Sequence, residues 1–206
     1  MRPAIKPNGD KYYEYILVYV DDLLIISHQT HNIVDVIKQS YCLKDDDIGP
    51  PKTYLGARVR KSHPPYNTSK TQWSISTDQY IKNAISNIKM KLSKDGITLN
   101  SKKYASTPFS NGYRPELDVT PLLSDESTTF FQQIIGTLRW IVELGRIDIL
   151  IHTTLLSSFL MQPREGHLRE ALRILAYLKH YPNAWMIFDD SEVNWCAADF
   201  PSHDWS

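Results

Sequence analysis

Cysteine is scarce in this 206-residue chain: Cys42 and Cys196 stand far apart, with no Cys or His neighbour at ligand spacing. That spacing argues against a disulfide framework and against a zinc site. Long apolar runs are missing as well. No stretch approaches the roughly 20 apolar residues of a membrane span, and the best one, residues 144–160, is cut by Arg146, Asp148 and His152. The opening residues, 1–11, are polar and lack the apolar centre of a secretory signal. These absences predict a soluble protein of a reducing, intracellular compartment, cytoplasmic or nuclear, with no membrane partner. Net charge is absent too, since 23 basic residues balance 23 acidic ones.

The balance hides an asymmetry. Residues 52–103 hold eleven Lys and Arg (Lys52, Arg58, Arg60, Lys61, Lys70, Lys82, Lys89, Lys91, Lys94, Lys102, Lys103) against Asp78 and Asp95. The segment therefore carries +9 and the remainder of the chain −9. Tyr54, Tyr66, Trp73 and Tyr80 lie among these cations. A solvated face is one reading; a surface for a polyanion, with aromatic rings among the charges, is the other.

What is present in a concentrated form is a carboxylate pair between two apolar strands. Tyr15-Ile16-Leu17-Val18 runs into Tyr19-Val20-Asp21-Asp22, and Leu23-Leu24-Ile25-Ile26 runs out. β-Branched and aromatic residues of this kind fit a pleated, largely buried surface. A two-residue connection would put the acids at the tip, where Asp tolerates a positive φ. Two charges between such strands must face solvent or a cation. Rigidly held hard oxygen ligands suit Mg²⁺, which takes one or two protein carboxylates together with substrate phosphates. An acidic surface turn is the plainer alternative.

Along the rest of the chain, Ile33, Val36, Ile37 and Tyr41 predict an amphipathic helix over residues 30–43. The acidic residues 45–47 and the Gly49-Pro50-Pro51 run predict a solvated loop. Residues 54–59 and 73–76 read as strands joined by a polar loop into a second hairpin. Ser76 and Gln79 form a capping-box pattern opening a helix with Ile81, Ala84, Ile85, Ile88 and Leu92 on one face, ended by Gly96. Residues 101–125, with three prolines, read as a linker or extended crossing segment. Three helices follow over residues 127–144, 148–161 and 164–180, stopped by Gly145, Pro163 and Pro182. Residues 184–188 and 192–198 read as strands without partners. The histidines read as surface or helix-face positions, not a site. There is no internal repeat, and strands first with helices later make the class α+β.

With those elements placed, the chain resembles the C-terminal part of a Copia-type retrotransposon reverse transcriptase running into its RNase H domain. The motifs stand in family order: Tyr19-Val20-Asp21-Asp22-Leu23-Leu24-Ile25, Lys44-Asp45 with Gly49, Tyr54-Leu55-Gly56, Gln79-Tyr80-Ile81, Ser106-Thr107-Pro108, Ile135-Gly136-Thr137-Leu138-Arg139-Trp140, Arg146-Ile147-Asp148-Ile149 and Ala171-Leu172-Arg173-Ile174-Leu175-Ala176-Tyr177-Leu178. The resemblance implies a partial polymerase palm over residues 1–76: catalytic hairpin, helix and primer-grip-like hairpin. Helical thumb and connection follow over 77–182, with the linker near 101–125, and a truncated start of an RNase H-like domain over 183–206. Gln132, Gly136 and Trp140 fall at i, i+4 and i+8 on one helix face. In retroviral-type polymerases such a row tracks the minor groove of a template–primer, with Gly admitting the duplex, Trp facing sugars and Gln bonding groove acceptors. The alternative is that Trp140 is core beside Ile134, Leu138 and Ile141.

The resemblance further implies that Asp21 and Asp22 are catalytic and metal-binding, Asp21 directly, in a two-Mg²⁺ nucleotidyl transfer. Tyr19, Leu55, Gly56, Arg58, Gln132, Gly136 and Trp140 are the implied nucleic-acid contacts. Partners are an RNA or DNA template–primer duplex and, in the intact enzyme, a deoxynucleoside triphosphate within a virus-like particle. The family's third carboxylate lies on a strand upstream of the hairpin, and Asp10 and Glu14 are badly placed to replace it. The fingers are missing as well, so the isolated chain is expected not to polymerise unless another chain complements it. Ala197-Ala198-Asp199-Phe200 has Ala197 where the first RNase H acid belongs, so RNase H activity is not expected. Two further readings remain: a non-catalytic nucleic-acid-binding remnant, and a decayed element without selected function whose half-sheet exposes apolar surface.

Overall fold

The computed structural model describes residues 2–44, 48–63, 71–94 and 105–188. Two antiparallel sheets and five helices make up these residues. The first sheet has order β1-β2-β3: Arg2–Ile5, Lys11–Tyr19 and Asp22–Ile26. Helix α1 (Thr30–Lys38) follows it. It ends five residues before the expected stop, and Tyr41, the last position of the apolar pattern, is exposed.

The second sheet has order β4-β5-β6-β7: Thr53–Tyr54, Ala57–Ser62, Gln72–Ser76 and Met186–Phe188. Two expectations change here. Residues 54–59 are not one strand, because Leu55 and Gly56 turn the chain back so that Tyr54 pairs with Ala57. Residues 186–188 do have a partner: Trp73 pairs with Phe188 and Ile75 with Met186, so the strand closes the sheet begun over a hundred residues earlier. The expected strand at 192–198, the Ala197 motif, the acidic run at 45–47 and the stop at Gly96 lie outside the described residues.

Helices α2 (Asp78–Lys94), α3 (Asp125–Glu143), α4 (Leu150–Ser157) and α5 (Glu165–His180) build the core. The apolar spacing accounts for it: Ile81, Ile85 and Leu92 on α2, Phe131, Ile134, Leu138 and Ile141 on α3, and Ala171, Ile174, Leu175 and Leu178 on α5 are all buried. At roughly 2 kcal/mol for each buried aliphatic side chain, this cluster is the principal stabilising element. Ser124 caps α3 by accepting the amide of Ser127 at 3.3 Å. At the other end Gly145 takes φ 111, and the Met186 side chain lies 3.4 Å from where a β-carbon would sit.

The capping box at Ser76 is not formed. Helix α2 starts at Asp78, Ile81 donates its amide to the Thr77 carbonyl, and Gln79 reaches forward to Asn83 instead of back. The Ser76 hydroxyl donates to the Ala184 carbonyl at 2.8 Å, tying the helix start to the approach of β7. Residues 105–124 are a crossing segment rather than a free linker. Ala105, Phe109 and Pro115 are buried, and Ser110 donates its amide and hydroxyl to Glu170 at 2.8 and 2.6 Å. His167 is on the buried face of α5, accepting the Arg164 amide at Nδ1 and meeting the Pro115 carbonyl at Nε2.

Among the described residues no helix is long and apolar enough to cross a membrane.

Candidate nucleic-acid and metal site

Strands β2 and β3 pair from Tyr15 with Ile26 to Tyr19 with Asp22, which leaves Val20 and Asp21 as a two-residue turn. The positive φ falls on Val20, at 55°, not on an Asp. A β-branched residue there is a backbone outlier costing on the order of 1–3 kcal/mol. Asp21, in the turn, and Asp22, the first residue of β3, are both exposed. The strands are less buried than their composition implies: Ile16, Leu17, Val18 and Leu23 are all exposed, Val18 to 65%.

The only other non-glycine residue with positive φ among the described residues is Leu55, at 52°, followed by Gly56 at 83°. Two left-handed residues in a two-residue loop make a type I′ turn, whose second position suits glycine. Both strained tips belong to one neighbourhood. The Tyr54 hydroxyl, just before the second turn, is pushed above its ordinary pKa by burial and then by the charge of Asp22.

The third participant is α3. The Tyr19 ring, on the same face of the hairpin as Asp22, meets the Trp140 ring with centroids 5.8 Å apart and planes at 46°. Trp140 is half-buried and lies off the core side, where Ile134, Leu138 and Ile141 are fully buried. Gln132 and Gly136 are exposed on the same row. A β-carbon on Gly136 would meet nothing within 4 Å. Gln132 donates Nε2 to the Leu160 carbonyl at 2.9 Å, so its amide is oriented by the end of the α4 segment.

Arg58 is placed differently from a free phosphate contact. Its Nε and Nη2 donate to the two Asp78 oxygens at 2.8 and 2.7 Å, and Lys82 approaches the same carboxylate at 3.5 Å. Trp185 lies under Arg60 at 3.5 Å and beside Arg58 at 5.4 Å. Sequence reasoning missed the roles of Asp78 and Trp185. Asp78 is 20 residues from Arg58 and Trp185 more than a hundred, so no local pattern signals either contact.

Asp21 and Asp22 fit the protein's share of a Mg²⁺ site: two adjacent hard carboxylates, solvent-facing, at the end of the β2–β3 hairpin. Among the described residues no group of three His, Cys, Asp or Glu side chains forms a metal cluster. Asp10 sits in the β1–β2 turn with Asn8 and Lys6, at the far end of β2. Glu14 is buried and accepts from the Ser27 hydroxyl at 2.7 Å and the Tyr12 hydroxyl at 3.1 Å.

Two known proteins are similar to the chain over about four fifths of its length. A transposon Ty5-1 protein of Saccharomyces cerevisiae is 35% identical over 169 residues, covering 80% of this chain and 48% of that protein. The retrovirus-related Pol polyprotein from transposon RE1 of Arabidopsis thaliana is 28% identical over 172 residues, 82% of this chain and 10% of the polyprotein. The chain thus spans about half the length of one relative and a tenth of the other. No family model matches it, and no solved structure does. Both relatives bear the names of transposon proteins.

Proposed function

We propose that this chain is a fragment of a retrotransposon RNA-directed DNA polymerase, comprising later palm and thumb elements that hold a template–primer duplex beside a Mg²⁺-dependent nucleotidyl transfer centre. The observation that carries this reading is a convergence. The Asp21-Asp22 turn, the Leu55-Gly56 turn and the Trp140 end of the exposed α3 row share one neighbourhood. Strain held at solvent-facing tips is characteristic of functional turns. In this reading Asp21 and Asp22 hold the metal, which supplies charge neutralisation for the transferred phosphoryl group. Leu55 and Gly56 position the primer end, and Gln132, Gly136 and Trp140 follow the groove. Arg58 acts by holding β5 to α2 through Asp78, not by touching phosphate.

The full chain should bind an RNA–DNA duplex in preference to single-stranded RNA, with affinity falling linearly in log salt. With Fe²⁺, ascorbate and peroxide in place of Mg²⁺, backbone cleavage should map beside residues 20–22 and disappear in the Asp21→Ala, Asp22→Ala double variant. Absence of duplex preference together with absence of cleavage there would sink the reading. Primer extension by the chain alone is not expected.

A second reading, a nucleic-acid-binding module without chemistry, is favoured by the lack of a third acid around the pair among the described residues. Duplex binding unchanged by the double variant, with no iron-directed cleavage, selects it.

A further inference from the structure

Strand β6 is turned inside out for its composition. Gln72, Ser74 and Ser76 are buried, whereas Trp73 among them is 36% exposed. Successive side chains of a strand point to opposite faces, so the register that buries the polar residues sends the tryptophan outward. The neighbouring strands extend this outward face. Lys61 on β5 pairs with Trp73, and Trp73 pairs with Phe188 on β7, which is 53% exposed. A cation and two aromatic rings thus stand abreast on three adjacent strands, which run about 5 Å apart. Val59, Ile75 and Met186 form the next row of the same face and are half-buried, with Ile75 and Met186 packed beside Gly145. The face is therefore closed at the Gly145 end and open at the Lys61 end.

The chemistry of the open row selects its occupant. Leaving Trp73 and Phe188 in water forgoes their burial energy, and two large rings side by side suit a flat apolar ligand. The three strands carry Arg58, Arg60 and Lys61 and no Asp or Glu. Arg58 is held by Asp78, while Arg60 and Lys61 pair with no carboxylate, so the sheet favours an anion. A protein partner fits less well, because lysine is depleted at the buried centre of protein interfaces. Nucleic acid with unpaired bases joins flat rings to regularly spaced negative charge. In a duplex those ring faces are stacked on one another and closed to a sheet surface. The Lys61 ammonium lies 4.8 Å from the centre of the Trp73 ring. Such a contact at an exposed site is weaker than a base–ring stack, so a base can replace it while the long side chain turns to a phosphate.

We propose that the row of Lys61, Trp73 and Phe188 is a stacking platform for single-stranded nucleic acid, with one base on each ring and Lys61 on the backbone phosphate. The platform shares no residue with the acidic hairpin or with the Gln132, Gly136, Trp140 row. It needs no metal, and it stands whether or not the duplex reading does. Stacking is indifferent to the sugar, so DNA and RNA strands are both taken.

Photocross-linking maps the site on the unaltered full chain. A short oligodeoxythymidylate carrying 5-iodouracil is expected to link to Trp73 and Phe188. Adducts on other residues only, or none, overturn the platform. Fluorescence anisotropy with a labelled oligodeoxythymidylate then tests the ring itself, on variants that circular dichroism shows to be folded. Trp73→Leu keeps the apolar bulk without the flat ring and should weaken binding about tenfold, whereas Trp73→Tyr should stay within about twofold. Wild-type affinity in Trp73→Leu, or an equal loss in Trp73→Tyr, overturns stacking. Lys61→Gln should flatten the dependence of log affinity on log salt by about 0.7. Trp140→Ala should leave oligothymidylate binding unchanged, and Trp73→Leu should leave RNA–DNA duplex binding unchanged, which separates failure of this site from failure of the duplex site. An equal loss of duplex and single-strand affinity in Trp73→Leu would merge the row with the duplex site and overturn it.

Discussion

The Tyr19 ring lies 5.8 Å from the Trp140 ring, joining the acidic turn to the helix that carries the exposed Gln132 and Gly136. Residues 121 positions apart in sequence thereby share one contact. An aromatic pair of this kind is worth about 0.5–1.5 kcal/mol beyond the area it buries. If a duplex is held at this place, Trp140 is at its surface. Trp140→Ala should weaken RNA–DNA duplex binding by about tenfold, equivalent to about 1.4 kcal/mol, in fluorescence anisotropy at fixed salt. An unchanged affinity would remove Trp140 from the interface.

Gly136 separates stability from function. Its position is helical and open, so Gly136→Ala should raise the unfolding free energy by roughly 0.8–1 kcal/mol through helix propensity. If a duplex approaches this face as proposed, the same substitution should weaken duplex binding, because the added methyl would stand in its way. Urea unfolding and duplex titration of one variant check both halves. A gain in stability with no loss of binding would leave the glycine without a groove role.

The two strained turns make a prediction of opposite sign to most core mutations. Val20→Gly relieves a positive-φ cost of about 1–3 kcal/mol and incurs a chain-entropy cost of roughly 0.5–1 kcal/mol. The expected net is a rise in stability of about 1 kcal/mol. Leu55→Asn, producing the preferred Asn-Gly pair for a type I′ turn, should do at least as well. Urea midpoints at unchanged m-value measure both. A loss of stability in either would contradict the left-handed backbone at that tip.

Arg58 and Asp78 are coupled. The Asp78 side chain is 5% exposed and that of Arg58 50%, so the burial cost falls on the carboxylate. Arg58→Ala should cost about 2 kcal/mol by leaving the buried charge with Lys82 alone. Adding Asp78→Asn should cost less than the two single effects combined. A strictly additive double-mutant cycle would show that the fork contributes nothing.

Acid stability should depend on Asp118 and Asp148. Burial raises both carboxyls, but other contacts outweigh it and leave each below the usual range. For Asp118 these are the Thr120 amide at 2.8 Å and its hydroxyl, with the Tyr113 hydroxyl at 2.6 Å. For Asp148 they are the Arg146 fork at 2.8 Å and the Tyr177 hydroxyl at 3.0 Å. A depressed folded-state pKa contributes stability above the unfolded value, near 3.9, that is lost as pH falls through the lower folded value. Unfolding free energy should therefore drop steeply below about pH 4. Asp118→Asn and Asp148→Asn should each be less stable at neutral pH and lose less on acidification. A variant with an unchanged acid slope would exclude its carboxylate from the effect.

Much of the chain was legible because its information is local. The apolar spacing of α2, α3 and α5 and the Gly145, Pro163 and Pro182 stops are properties of neighbouring residues, as is the β2–β3 pairing around Asp21 and Asp22. The row of Gln132, Gly136 and Trp140 needed only the helical period. Local rules misled where a competing partner was distant. The Ser76 hydroxyl accepts the Asp78 amide but donates to the Ala184 carbonyl, outside any reciprocal box with Gln79, and Leu55-Gly56 turns a strand back on itself with leucine in a conformation it rarely adopts. Residues 186–188 found in β6 a partner from the first half of the chain.

By itself, then, the amino-acid sequence determined the helical cores of α2, α3 and α5 and the β2–β3 hairpin that ends at Asp21 and Asp22. Their periodicities follow from backbone geometry acting over a few residues. Only the tertiary structure decided that Tyr19 meets Trp140, that Asp78 occupies Arg58, and that β7 pairs with β6. Those outcomes depend on how whole elements pack, and packing energy is shared among residues that no sequence window contains together.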